Sequence, residues 1–95
     1  MLVIIKSAPE TPEGKRGVKL ACDAFADLVL LQNGVYFMQG EKLGVAGFKG
    51  KVYVLEDDRQ LRGLEKNSGV KNIQDINYDI LVDLITENDK VIGML

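Results

Sequence analysis

Cys22 is the only cysteine of the chain, and there is no histidine. That pair of facts narrows the available chemistry sharply. A structural or catalytic zinc site needs several Cys or His ligands, and Ser-His or Cys-His nucleophilic catalysis needs an imidazole, so neither can be assembled within one chain. An intramolecular disulfide is excluded too, which fits a reducing compartment. What a lone thiol can do is act as a nucleophile once ionised, or pack quietly as a small apolar group. On a helical wheel Cys22 falls about 40° from Val18, at the edge of an apolar face, with Lys15 and Lys19 further round the same way. Two readings follow: an inert packed thiol, or a rim thiol whose pKa is lowered by a neighbouring ammonium.

The other polar groups of interest are Gln32 and Asn33. They follow a four-residue apolar run at Leu28–Leu31 and precede Gly34. A continuous apolar run reads as a strand buried on both faces. Asn-Gly reads as a turn, because both residues tolerate positive φ. Phosphate chemistry has little support. There is no Walker A and no G-x-G-x-x-G after a strand, and the Gly40–Gly50 segment does not open a helix. Glu56-Asp57-Asp58 would repel a phosphate, and Lys6-Ser7 stands where a receiver-type magnesium site would need acids. Helix capping explains the acidic trio more simply.

The elements that must position these groups can be read in order. Leu2–Ile5 is a β-branched strand, and a loop with Pro9 and Pro12 follows. Lys15 to Phe25 is a helix, with Val18, Ala21, Cys22 and Phe25 on its core face. After the Leu28 strand, Val35–Gln39 makes one or two helical turns, and Gly40–Gly50 is by composition the most flexible part. Lys51–Leu55 is a third strand. Asp58–Leu64 is a short helix that Gly63 terminates, and Glu65–Lys71 is loop. Ile73–Ile76 is a fourth strand. Tyr78–Thr86 is the last helix, with Ile80 or Leu81, Leu84 and Ile85 facing inward. Lys90–Leu95 is a final strand.

Strict alternation of strands and helices predicts a mostly parallel sheet with helices on both faces, in one domain over residues 1–95. The strand carboxyl ends would then gather Lys6, Ser7, Gln32, Asn33, Glu56–Asp58, Asn77 and Tyr78 along one rim. That rim is either a cleft for a small ligand or simply the polar end of the sheet. Leu20 points away from Val18, and Tyr36, Phe37 and Met38 are too bulky a run for one short helix to bury. Gln32, Asn33, Gly34, Tyr36, Phe37, Met38 and Leu20 are therefore the expected partner surface.

Composition is that of an ordinary globular chain, 46% hydrophobic and 27% charged, with net charge −2. No basic stripe with interleaved aromatics points to direct nucleic-acid binding. No apolar run approaches the length of a membrane helix, and the absence of a targeting segment favours the cytoplasm.

Several stretches resemble one known family: Leu30-Leu31-Gln32-Asn33-Gly34-Val35-Tyr36, then Lys51-Val52-Tyr53-Val54-Leu55, Leu61-Arg62-Gly63, Ile76-Asn77-Tyr78 and Leu81-Val82-Asp83-Leu84. In order and spacing they look like the DsrH/TusB family, of the DsrE/DsrF/DsrH-like sulfur-relay proteins. The resemblance implies a three-layer α/β/α sandwich with a five-stranded, mostly parallel sheet. It implies a cytoplasmic complex with DsrE/TusD-like and DsrF/TusC-like subunits, or self-association, that passes persulfide sulfur between cysteines. The destination is tRNA 2-thiouridine formation or sulfur oxidation. Cys22 falls where DsrH-type members carry a cysteine in the first helix, which makes it the candidate persulfide site. A persulfide-carrying protein is then a partner, and no cofactor or metal is implied. No Cys follows the third strand, so the chain is not the principal carrier. Met94 stands where the family commonly has a Trp. Beside the relay reading stand a purely structural interaction module and a small-ligand α/β domain using the Gln32-Asn33 rim.

Overall fold

A computed structural model describes residues 1–40, 42–65 and 73–94. Five short strands form one sheet: β1 (Leu2–Ile5), β2 (Asp27–Leu30), β3 (Val52–Leu55), β4 (Ile73–Ile76) and β5 (Val91–Met94). Their order is β4-β3-β2-β1-β5, and every pairing is parallel. The alternation in the sequence thus yields an all-parallel sheet. β1 and β2, in the middle, are buried almost throughout, as their unbroken apolar runs require.

The helices are α1 (Pro12–Ala24), α2 (Lys42–Val45), α3 (Glu56–Leu61) and α4 (Tyr78–Glu87), with a 3-10 helix at Gln32–Met38. From β1 to β4 the chain steps in one direction, so right-handed crossovers keep α1, the 3-10 helix, α2 and α3 on one face. That face holds the larger core, where Val3, Ile5, Leu28, Leu30, Val52 and Val54 meet Val18, Ala21, Phe37, Met38 and Leu43. The return to β5 carries α4 across the other face. There Leu81, with half-buried Leu84, covers Leu2, Ile4, Val29 and Ile76.

α1 begins earlier than the apolar spacing suggests. Thr11 is its N-cap and its hydroxyl accepts from the Gly14 N–H at 3.0 Å, with Pro12 in the first turn. It also ends one residue early. Phe25 is a left-handed cap at φ 53 and is 94% exposed, so it is not on the core face. Its amide closes the helix onto the Ala21 and Cys22 carbonyls instead.

The acidic trio does not cap by side chain. Glu56, Asp57 and Asp58 all sit in the first turn of α3, where their charge complements the helix dipole. α3 stops at Leu61, short of the expected Leu64, and Gly63 turns at φ +68 beyond it. The Gly40–Gly50 segment contains the short helix α2. Of the Glu65–Lys71 loop only Glu65 is among the described residues, and Leu95 is outside them too.

α3 is anchored from within. Arg59, 8% exposed, donates from Nε to Asp75 Oδ1 at 3.0 Å and from Nη2 to Asp75 Oδ2 at 2.8 Å. Its Nη1 donates to the Leu64 carbonyl at 2.8 Å. One guanidinium thus ties α3 to β4 and to the chain that leaves α3.

Candidate functional site

α1 descends from the carboxyl end of β1 to the amino end of β2, and Cys22 lies near its bottom. The thiol is half-buried against the larger core, and its Sγ–H donates to the Ala46 carbonyl oxygen at 3.6 Å. It stands on the wall of an open groove of about 800 Å³ that runs between α1 and the 3-10 helix and α2. A smaller hollow of about 240 Å³, lined by Phe25, Gly47 and Phe48, touches its other side.

The electrostatics differ from the expected activated thiol. Burial pushes the Cys22 pKa up, and the Asp23 carboxylate pushes the same way; Lys19 pulls it down without prevailing. The reason is local. Lys19 Nζ is paired with Asp23 Oδ2 at 3.0 Å, so the two opposite charges act on Cys22 together and burial remains the largest cause. Cys22 is held as the thiol, not poised as the thiolate.

Gln32 and Asn33 form a separate corner at the opposite end of the sheet. Gln32 takes positive φ, 49°, whereas Asn33 and Gly34 do not. Its backbone N–H donates to Asp58 Oδ2 at 2.7 Å, and Arg62 Nε donates to Asn33 Oδ1 at 3.2 Å. Gly34 is required for close approach and not for a left-handed turn. A Cβ there would overlap the Ile5 carbonyl oxygen. Its N–H donates to the Lys6 and Leu31 carbonyls at 3.1 and 2.8 Å. The strand-end rim is therefore a knitted corner that joins β1, β2 and α3. Asn77, further along, caps α4 by accepting from the Ile80 N–H at 2.9 Å.

Of the residues expected to face a partner, Phe37 (5% exposed), Met38 and Gly34 are buried inside the chain. The 3-10 geometry is the cause: with about three residues per turn, Val35 and Met38 point to one side while Phe37 closes over the core beside α1. Tyr36 and Leu20 are half-buried against the same core, and only Gln32 and Asn33 are exposed.

The apolar surface left over lies elsewhere. On α4, Tyr78 (57%), Val82 (60%) and Ile85 (40%) are exposed and share one flank at i, i+4, i+7 spacing. Ile80 is exposed as well, so of the expected inward set Leu81 is buried and Leu84 half-buried. The signal was present: apolar residues span roughly 200° of this helix, wider than the stripe one sheet face covers.

Among the described residues no cluster of His, Cys, Asp and Glu is suited to a metal ion, and no helix is long and apolar enough to cross a membrane.

A family model described as "DsrH like protein" matches residues 10–91. Among solved structures, the chain is similar to protein Tm0979 from Thermotoga maritima, solved by NMR in solution. The two share 29% identity over 94% of each chain, with a TM-score of 0.66. No curated protein matches.

Proposed function

Because the chain belongs to the DsrH-like family, we propose that it is a cytoplasmic sulfur-relay subunit that works mainly through assembly with DsrE/TusD-like and DsrF/TusC-like subunits. The family match carries this reading. The uncovered flank of α4 supports it, since contiguous exposed apolar residues mark association surfaces. The relay serves tRNA 2-thiouridine formation or sulfur oxidation, and both need the same transfer.

Cys22 is the sulfur-accepting group in this proposal. Its thiolate attacks the outer sulfur of a donor persulfide, R–S–SH. The S–S bond breaks, the donor leaves as the thiolate R–S⁻ and takes up the proton that the Cys22 thiol gave up, and Cys22 holds the sulfur as its own persulfide until a third thiol takes it. No oxidant or metal enters. A second reading, a scaffold whose partner holds the reactive cysteine, is favoured by the half-buried position and raised pKa of Cys22.

The test is co-expression with a DsrE-like and a DsrF-like subunit, followed by intact mass after exposure to a persulfide donor. Stoichiometric co-purification, lost in Val82→Glu, supports the subunit reading; a chain that purifies alone refutes it. A gain of one sulfur on the wild type but not on Cys22→Ser assigns Cys22 to the relay. No gain assigns the scaffold.

A further inference from the structure

The groove beside α1 has features that sulfur transfer does not require. Its volume, about 800 Å³, lies in the range of small-molecule sites. Its α1 bank from Lys15 to Asp23 extends about 12 Å along the helix axis. Val18 and Phe37, both part of the main core, form the floor, and the lining is mostly apolar.

The charges around it are unevenly committed. Lys19 is paired with Asp23 at 3.0 Å. Lys15 on α1 and Lys42 on α2, on opposite banks, are exposed and have no side-chain partner among the described residues. Glu10 is the remaining charge of the lining. The balance is thus positive in a chain whose net charge is −2. Two ammonium groups without a side-chain partner among the described residues, above an apolar floor, suit a ligand with one anionic end and an apolar body. Glu10 disfavours a second negative charge.

We propose that this groove binds a small amphipathic organic monoanion, a carboxylate or sulfonate on an apolar body, with its head between Lys15 and Lys42 and its body along Val18 and Phe37. The proposal stands apart from the relay reading. Cys22 serves only as a reporter, because a ligand lying in the groove covers its thiol.

The probes are octanoate and octan-1-ol, which share an apolar chain and differ in charge. The measurements are the rate of Cys22 alkylation by iodoacetamide and amide chemical shifts in the native full-length protein. Octanoate is expected to slow alkylation and to shift amides of α1, the 3-10 helix and α2. Octan-1-ol should act more weakly by roughly threefold to tenfold, the worth of two solvent-exposed ionic contacts. Lys15→Gln/Lys42→Gln should reduce octanoate to the level of the alcohol, while Lys6→Gln/Lys90→Gln, outside the groove, should leave the difference intact. All four lysines are exposed, so the variants should fold. The proposal is overturned if octanoate neither protects Cys22 nor shifts groove amides. It is also overturned if the alcohol acts equally, or if the preference for octanoate survives in Lys15→Gln/Lys42→Gln. None of these outcomes bears on whether the chain joins a relay complex.

Discussion

Truncating Asp75 to Ala removes both carboxylate oxygens that face Arg59 and leaves the guanidinium, 9% exposed at its side chain, with the Leu64 carbonyl alone. Breaking one partner of such a buried pair costs about 3–5 kcal/mol, because the desolvated charge that remains is uncompensated. A domain of this length has roughly 5–14 kcal/mol of total stability, so the loss is a large share of it. Near the transition it corresponds to a fall in Tm of roughly 12–40 °C. The double variant Arg59→Met/Asp75→Leu behaves differently. It removes both charges and leaves one unpaired carbonyl at Leu64, worth about 1–3 kcal/mol, which apolar packing partly offsets. It should therefore be more stable than Asp75→Ala although it carries one more substitution. Urea unfolding reads this directly, as a shift of midpoint at constant m-value. Hydrogen exchange at the Gln32 amide gives a second reading. Its acceptor, Asp58, rides on α3, so loosening α3 should speed its exchange. An Asp75→Ala cost below about 1 kcal/mol, or a double variant weaker than the single, would show that the pair is not the anchor its geometry suggests.

Two further outcomes follow from local geometry. Gly34→Ala should destabilise by about 2–3 kcal/mol in urea unfolding, since the new methyl meets the Ile5 carbonyl, which also accepts from the Leu31 N–H. Gly44→Ala, with open space around it in α2, should be neutral or stabilising by up to about 1 kcal/mol. The alkylation rate of native Cys22 should rise with pH through a midpoint above that of a free thiol, and Asp23→Asn should move the midpoint down without restoring the free value, because burial is the larger cause. The sign carries into stability: a thiol whose folded pKa is raised favours the folded state below the unfolded pKa. That contribution should fade as pH climbs towards the folded value, and it should be absent from Cys22→Ser.

Much of the fold is legible because its signals are local. A strand buried on both faces is written as a short continuous apolar run, and Leu2–Ile5, Leu28–Leu30 and Val52–Leu55 are such runs. Alternation with helical segments then leaves a parallel sheet as the simple solution. The candidate site was less legible, because exposure depends on what crosses overhead. Tyr36-Phe37-Met38 looks like surplus apolar surface until the 3-10 helix folds it onto the α1 side of the sheet. The last helix looks paired until its single sheet face proves narrower than its apolar arc.

By itself, then, the sequence determined the parallel α/β architecture, a side-chain inventory with one thiol and no imidazole, and the position of that thiol in the first helix, since these depend on residue type and near-neighbour spacing. Tertiary structure decided the rest. It placed Cys22 near the amino ends of the strands, away from Gln32 and Asn33, because a crossover helix runs antiparallel to the strands it joins. It committed Lys19 to Asp23, which leaves burial to set the character of the thiol. It also left Lys15 and Lys42 facing an apolar groove that no stretch of sequence contains by itself, because its two banks come from α1 and α2, with β2 and the 3-10 helix between them in the chain.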